Sequence, residues 1–341
     1  MRKERIKVKG QRALYHVMSR TVNGEIFFSD EEKEAMRRML FKVAGFCGVK
    51  ILTYCLMGNH FHFLVEVPDG GQMKLDDREL LRRYRMLHGE DGVLRKSERA
   101  RKYAPNTPEQ VERTLKDGGE EAEKMRASLL ARMHDLSAFV KIYKQQVSIW
   151  YNANHDRYGP LWSDRFKSVL VQGSGTALLV MAAYIDLNPV RAGLVEDPRD
   201  YAFSGYGEGE KEGYPRAGLV DVLRGLRGDA WGKEVLREYR LLLLGQAGSD
   251  GAREEMVRIL SERQREESGA TRKNWRFLRS LGYGMIIGAK AFVERVTGKF
   301  VDCRGEAKNQ VSEELFVGQK KFRGPKRSGN VPNFRERGTS S

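Results

Sequence analysis

Hydrophobic positions in the first half of the chain recur at helical spacing in three segments. Apolar residues at three- and four-residue steps follow Ser29 and Asp30 and stop at Gly48, which predicts a capped amphipathic helix. The same spacing predicts a second helix from Asp135. A third helix, apolar on most faces, is predicted over residues 176–187, because Pro189 ends the pattern.

Four short segments between these helices have the apolar and β-branched character of strands. They are residues 12–20, 49–57, 60–67 and 167–172. Gly58 and Asn59 separate the middle two, which is turn chemistry typical of an antiparallel hairpin. The predicted order is strand, helix, strand, strand, helix, strand, helix. This order suits an α+β fold in which helices pack against an antiparallel sheet.

A charged segment interrupts this order. Residues from about 75 to 130 carry dense charge of mixed sign together with several glycines and prolines, which predicts a partly helical insertion exposed to solvent. With this insertion included, we predict a first domain over residues 1–206.

The chain changes character after Tyr206, where glycines become frequent and the periodic pattern weakens. We predict an accessory C-terminal region over 207–319 that is mostly helical. Its predicted helices lie near 231–244 and 254–267, with a turn plus helix over 282–296. Residues 320–341 are strongly basic and predict a disordered tail.

Composition narrows the class of protein. The 341 residues include 61 Lys+Arg against 46 Asp+Glu, a net charge of +15 that suits a polyanionic partner such as nucleic acid. No apolar run approaches the roughly 20 residues of a membrane-spanning helix, and the first residues lack the apolar stretch of a secretion signal. We therefore expect a soluble intracellular protein with no membrane partner. Three cysteines without C-x-x-C spacing predict neither a disulfide framework nor a zinc knuckle.

The strand predicted over residues 60–67 carries a candidate metal site. Successive side chains on a strand point to opposite faces, so His60 and His62 point the same way while Phe61 and Phe63 supply the other face. Two imidazoles placed in this manner can reach one divalent metal. The alternative is a pair of structural histidines that happen to alternate. The pairing gains weight because the chain has only six histidines.

A third ligand would have to come from a neighbouring element if open positions are to be left for a phosphate. Tyr184 and Asn188 are four residues apart and share a face of the predicted third helix. Because Pro189 disfavours helical geometry at Asn188, we expect this amide to be presented from the last turn. Taken alone, a tyrosine in an apolar helix is more typical of core packing.

Three blocks of sequence, taken together, resemble the single-tyrosine HUH transposases of small insertion sequences, and most closely the REP-associated tyrosine transposases. The blocks are Cys55–His62, Gly159–Trp162 leading to Arg165–Ser168, and Tyr184–Gly193. The resemblance covers roughly residues 12–206. It does not extend to the charged insertion or to the chain after residue 206, neither of which belongs to the minimal catalytic unit.

This resemblance implies a ferredoxin-like fold with the HUH endonuclease core. It implies Tyr184 as the nucleophile, a metal held by His60, His62 and Asn188, and cleavage to a 5′-phosphotyrosine with a free 3′-hydroxyl. The metal would be Mg²⁺ or Mn²⁺, since both accept oxygen and nitrogen ligands. The implied substrate is single-stranded or hairpin DNA with REP-like sequences, and single-tyrosine relatives usually act as homodimers. We expect a cytoplasmic protein that associates with the nucleoid when bound to DNA.

Several further residues are candidates for supporting roles. Arg20, Arg165 and Lys167 are candidate phosphate contacts, although surface charge is the default interpretation for each. Trp162 either stacks on an unpaired base or packs beneath the neighbouring strand. His16, on the first strand, could reach the site, but a structural histidine with satisfied hydrogen bonds is the favoured interpretation. Tyr143 and Tyr151, which lie on the apolar stripe of their helix, are interpreted as core residues.

Two other functions fit the same sequence. The first is a non-catalytic nucleic-acid-binding protein on a ferredoxin-like sheet, with structural histidines. The second is replication initiation or plasmid nicking by a related HUH enzyme, which would prefer an origin-like nick site. A covalent protein–DNA adduct that needs metal and disappears in Tyr184→Phe would exclude the first of these.

Overall fold

The computed structural model describes only part of the chain. The described residues are 6–8, 10–70, 75–90, 92, 94, 98, 106–173, 176–227, 236, 237, 239, 240, 242–244, 286–288, 292 and 316–318. The strands are β1 (Ala13–Arg20), β2 (Lys50–Leu56), β3 (His60–Val67), β4 (Lys167–Val171), β5 (Ile286–Gly288) and β6 (Phe316–Gly318). The helices are α1 (Asp30–Cys47), α2 (Asp77–His88), α3 (Pro108–Asp117), α4 (Gly119–Leu130), α5 (Leu136–Asn154), α6 (Thr176–Asp186), α7 (Asn188–Arg191), α8 (Gly205–Glu212) and α9 (Ala217–Arg227).

Strands β1 to β4 form the centre of the fold in the order β2-β3-β1-β4, with all neighbours antiparallel. Helix α1 joins β1 to β2, and α5 precedes β4, so the chain follows the βαββαβ order of a ferredoxin-like fold. The predicted hairpin at Gly58 and Asn59 is present, and the predicted α+β, ferredoxin-like class is confirmed.

The two long helices begin and end where the sequence predicts. Ser29 and Glu32 form a capping box at the start of α1, and Gly48 ends it in the left-handed conformation at φ 64°. At the start of α5 the Asp135 side chain accepts a hydrogen bond from the Ala138 amide at 2.7 Å. Both helices pack on one face of the sheet.

The charged insertion is partly helical, as predicted, but many of its apolar residues are buried. Helices α2, α3 and α4 contribute buried side chains to the same core as α1 and α5, including Leu80, Tyr84, Val111 and Leu129. The charged residues cover the outer surface through ion pairs such as Arg126 with Asp77 at 2.6 Å. The insertion therefore thickens the layer on this face of the sheet.

The opposite face of the sheet is covered by α6, α8 and α9. Their buried residues form a second core with Leu14 and Leu64 from the strands. Helix α9 lies very close to β2: a Cβ at Gly218 would be 1.8 Å from the Ile51 carbonyl oxygen, so only glycine fits there. Buried residues from 236–243, including Tyr239, join the same core.

The C-terminal region departs from its predicted pattern in one place. Ile286 and Ile287 lie in strand β5, which pairs parallel to β4 and antiparallel to β6, where a turn plus helix was predicted. A short apolar run is compatible with either a helix or a strand. Here the hydrogen-bonded pairing with β4 stabilises the strand. The described residues between 236 and 244 are helical, in line with the helix predicted there.

Other predictions for this region lie outside the described residues, namely the helix near 254–267 and the basic tail over 320–341. The division of the chain at residue 206 stays a prediction. Position 206 lies within α8, and the residues on both sides of it share one core.

No helix in the described ranges is long and apolar enough to cross a membrane. Cys47 and Cys55 are buried free thiols, and Cys303 lies outside the described ranges.

Candidate active site

Strand β3 places aromatic residues on one face of the sheet and histidines on the other. Phe61 and Phe63 pack against Tyr143 of α5, at ring-centroid distances of 5.3 and 5.1 Å. His60 and His62 point to the α6 side, with their ring centroids 5.1 Å apart. The structure therefore brings the two predicted ligands together on one face.

The ring of His60 is oriented by its neighbour in the hairpin turn. Its Nδ1 lies 2.6 Å from Oδ1 of Asn59, and the Asn59 amide is itself fixed by donating from Nδ2 to the Gly24 carbonyl at 2.8 Å. An amide oxygen only accepts, so His60 Nδ1 carries the proton. The Nε2 lone pair of His60 is then available to a metal.

His62 is more deeply buried and contacts a third histidine. Its side chain lies in the middle of the sheet, with a relative exposure of 3%. Its Nδ1 is 2.9 Å from Nε2 of His16 on the adjacent strand β1, and the two rings stack at 5.1 Å with an interplanar angle of 10°. This contact also leaves Nε2 of His62 as the nitrogen that could face a ligand.

All three histidines are held in the neutral form. Burial lowers the pKa of His16 to about 3, and burial followed by the charge of Arg20 lowers the pKa of His60 to about 4. Burial lowers the pKa of His62 well below its ordinary value, with further contributions from His16, His60, Arg191 and Arg20. A neutral imidazole is the form that binds a metal, so this chemistry fits a divalent cation.

Tyr184 lies directly against the histidines. It projects from α6 with 8% relative exposure, and its ring meets His62 edge-on at 5.9 Å and His16 edge-on at 5.7 Å. The residue predicted as nucleophile is thus placed beside the residues predicted as ligands, although they are separated by more than 120 positions in the sequence.

Asn188 follows one turn later, at the start of the short helix α7. Its Nδ2 donates to the carbonyl oxygens of Tyr184 at 2.8 Å and of Ile185 at 3.2 Å. These bonds satisfy carbonyl groups left open where α6 ends before Pro189. They commit the amide nitrogen and leave Oδ1 as the atom suited to a metal.

Two of the three predicted phosphate contacts lie on the histidine face. Arg20 is exposed and pairs in register with His60, while Lys167 is exposed and pairs with Met18, two residues from Arg20. Alternation along β1 and β4 places both side chains on the side of His62. Arg165 is exposed in the loop that leads into β4.

Comparison with known proteins supports the resemblance drawn from the sequence motifs. Residues 10–75 match the family model described as "Transposase IS200 like". The resemblance to the IS200-like transposases is confirmed. The matched segment contains β1, α1, β2 and β3, and hence all three histidines of the site, while Tyr184 lies outside it.

Two further comparisons add little. No curated protein matches this sequence. One similar solved structure is that of the REP-associated tyrosine transposase bound to a REP hairpin, with 16% sequence identity over 63% of this chain and 88% of that chain, and a TM-score of 0.38. A similarity at that level says nothing about the site. The candidate site is assigned from the contacts described above.

The structure adds a residue to the candidate site that sequence reasoning missed. The guanidinium carbon of Arg191 lies 4.8 Å from the centre of the Tyr184 ring, and its charge lowers the pKa of His62. Arg191 is exposed to solvent. Its spacing of seven residues from Tyr184, two helical turns, was the available signal, but Pro189 obscured it.

A second residue that was missed is Asp186, which is fully buried beside the site. Its carboxylate accepts hydrogen bonds from the Tyr239 hydroxyl at 2.8 Å, from the Thr53 hydroxyl at 3.0 Å and from the Tyr206 amide at 3.2 Å. Burial raises the pKa of Asp186 to about 7, against the opposing effect of these bonds. Asp186 therefore ties α6 to β2 and to the C-terminal region.

The remaining alternatives from the sequence are resolved by packing. The Trp162 indole donates to the Lys144 carbonyl at 3.1 Å and packs against Phe28 and Phe61, so it supports the strand instead of presenting a face to a base. Tyr143 and Tyr151 are buried in the first core, as predicted. Among the described residues no cluster of three or more histidine, cysteine, aspartate or glutamate side chains could hold a metal ion. The predicted ligand set, with its amide, is of a different kind.

Proposed function

We propose that this protein is a metal-dependent transposase and single-strand DNA endonuclease that cleaves and rejoins DNA through a 5′-phosphotyrosine at Tyr184. The observation that carries the proposal is the placement of Tyr184 against His62, with the ring centroids 5.9 Å apart, on the sheet face that also presents His60. The family match over residues 10–75 supports the same conclusion.

The reaction exchanges one phosphodiester for another. The Tyr184 phenol loses its proton to solvent, its oxygen bonds to phosphorus, and the 3′ oxygen of the DNA leaves and takes up a proton. Because the phosphotyrosine conserves the energy of the broken bond, a later attack by a 3′-hydroxyl rejoins DNA without an external energy source. A phenol with a pKa near 10 is a poor nucleophile at neutral pH, so the site must make the phosphate more reactive.

The residues that would hold the metal are His60, His62 and Asn188, through two neutral imidazoles and an amide oxygen. Mg²⁺ and Mn²⁺ both suit this donor set, and Mn²⁺ tolerates imidazole better. When bound, a divalent cation supplies positive charge that polarises the scissile phosphate. Arg191 adds a fixed positive charge beside the nucleophile.

The proposed substrate is single-stranded DNA next to a hairpin, such as a REP-like sequence. Arg20, Arg165 and Lys167 would contact phosphates near the site, and the net charge of +15 favours binding to DNA in general. We propose that the protein acts as a homodimer in the cytoplasm and associates with the nucleoid when bound to DNA.

The test is detection of a covalent adduct on a denaturing gel, with labelled hairpin-flanked single-stranded DNA and Mg²⁺ or Mn²⁺. We expect an adduct with the wild type and none with Tyr184→Phe or His62→Ala. Tyr143→Phe is the matched control, because this buried hydroxyl on the other face has no hydrogen-bond partner among the described residues and should not affect the reaction.

Binding without any adduct, from folded wild-type protein supplied with metal and a broad oligonucleotide library, would replace the proposal with a non-catalytic binding protein. An adduct that persists in Tyr184→Phe would show that a different residue is the nucleophile.

A further inference from the structure

His16 and His62 are in contact through one ring nitrogen of each. The position of the single proton on each ring is therefore linked to that of the other. His16 Nε2 and His62 Nδ1 are 2.9 Å apart, and both side chains are buried. A neutral imidazole carries a proton on one nitrogen and a lone pair on the other. Two nitrogens at this distance form a hydrogen bond when one donates its proton to the other, so one proton lies between the two rings.

The two possible arrangements differ in what they leave on the far side of His62. If His16 donates from Nε2, the proton of His62 must be on its own Nε2, and that nitrogen cannot bind a metal. If His62 donates from Nδ1, its Nε2 has a free lone pair. The choice of tautomer therefore decides whether His62 can act as a ligand.

We propose that His16 is a positioning residue that accepts the Nδ1–H of His62 and so presents Nε2 of His62 to the divalent metal. This inference rests on the proposed function. It assigns to His16 the role that Asn59 has for His60, where a fixed amide oxygen accepts the Nδ1 proton at 2.6 Å. Both ligand rings are then held in the same tautomer by neighbours on the protein side.

In this arrangement the proton of His16 lies on its Nδ1. That nitrogen is buried and has no hydrogen-bond partner among the described residues, so the arrangement leaves an unpaired N–H that destabilises the fold. An apolar side chain of similar size would avoid this cost, and the role of His16 as the acceptor for His62 Nδ1 is the benefit that offsets it.

The experiment compares the full-length wild type with His16→Leu and His16→Gln. Leucine fills similar space without an acceptor, and glutamine offers an amide oxygen that can accept from His62 Nδ1. Long-range ¹H–¹⁵N NMR on metal-free protein reports which nitrogen of His62 is protonated. Titration with Mn²⁺ alone, followed by electron paramagnetic resonance, reports affinity without DNA or catalysis.

We expect the wild type to show the Nδ1–H tautomer of His62. His16→Leu should lose that selection and bind Mn²⁺ about 10–100-fold more weakly, the usual effect of removing a partner of a metal ligand, while His16→Gln should stay close to the wild type. An Nε2–H tautomer in the wild type would overturn the inference, and that measurement needs no variant to fold.

The outcomes also separate this inference from the proposed function. Loss of Mn²⁺ binding in His62→Ala would show that the wild type binds the metal through His62. If His16→Leu then binds Mn²⁺ as tightly as the wild type, the proposed role of His16 is wrong and the metal site stands. If the wild type binds no Mn²⁺, the metal in the proposed function is wrong, and the role of His16 toward it is overturned as well.

Discussion

The two faces of the central sheet are both buried, yet they have opposite chemistry. On the side of α1 and α5, β3 presents Phe61 and Phe63, which stack at 4.2 Å in a core of aromatic and aliphatic residues. On the side of α6, the same strand presents His60 and His62, which meet a tyrosine and another histidine. The first face stabilises the fold and makes the sheet rigid. The rigid sheet then holds the polar groups of the second face in fixed positions.

Two buried carboxylates, Glu208 and Asp186, differ in the charge of their partners. Glu208 of α8 bonds to Arg37, to Arg216 at 2.5 Å and to the Tyr54 hydroxyl at 3.1 Å. Burial alone would raise the pKa of Glu208, but the hydrogen bond and charge of Arg216 and the charge of Arg37 lower it below its ordinary value. The donors to Asp186 among the described residues are neutral, so burial prevails and its pKa rises. Asp186 therefore has no cationic hydrogen-bond partner in the described part of the chain, whereas Glu208 has two.

The largest effect on stability is expected from truncating the aromatic face. Phe63→Ala should lower the free energy of unfolding by about 3–5 kcal/mol, because it removes a fully buried ring and leaves a cavity. Urea denaturation followed by circular dichroism measures this. His60→Ala, on the other face of the same strand, should cost about 1 kcal/mol or less while abolishing adduct formation. Equal losses of stability in the two variants would contradict the conclusion that the aromatic face stabilises the fold more than the histidine face does.

The paired carboxylate should make stability depend on pH. Glu208→Gln should cost about 2 kcal/mol at neutral pH, since it removes charge-assisted bonds to two arginines that are partly exposed. Because the folded state lowers the pKa of Glu208, its contribution is present above the ordinary value of 4.5 and is lost as pH falls through the lowered pKa. The difference in unfolding free energy between wild type and variant should therefore shrink on acidification. A difference that is constant from pH 7 to pH 3 would be inconsistent with this pairing.

A smaller effect is expected from the neutral partners of Asp186. Tyr239→Phe removes one donor to a buried carboxylate that keeps its bonds from Thr53 and the Tyr206 amide, so we expect a loss of about 1–2 kcal/mol in unfolding free energy. Tyr143→Phe is again the control, because its hydroxyl has no partner in the described part of the chain and its removal should cost almost nothing. If both variants had the same stability, the bond between Asp186 and Tyr239 would not hold the C-terminal region to α6.

The smallest effect concerns the exposed rim of the site. Arg20→Ala should leave stability unchanged and reduce by about 1 the slope of log affinity against log salt for single-stranded DNA, as expected for one lost phosphate contact. Fluorescence anisotropy over a series of salt concentrations gives that slope. Arg113→Ala, an exposed arginine on α3 of the insertion, should leave it unchanged. The same change in both variants would mean that Arg20 contributes only general charge.

The sequence by itself determined the four strands and three helices predicted up to residue 187, and one half of the site. Period-two alternation is local, so it placed His60 and His62 on one face, and the caps of α1 and α5 were set by residues within three positions of each helix start. The predicted proximity of Tyr184 came from resemblance and not from any local pattern.

Only the tertiary structure decided which groups meet across the sheet. The register of β1 against β3 brings His16 to His62, the packing of α6 on that face brings Tyr184 to both, and the chain near Tyr239 returns to cover Asp186. These contacts join residues 46 to 168 positions apart. A local pattern fixes which way a side chain points, but which neighbour it finds there depends on how distant segments pack.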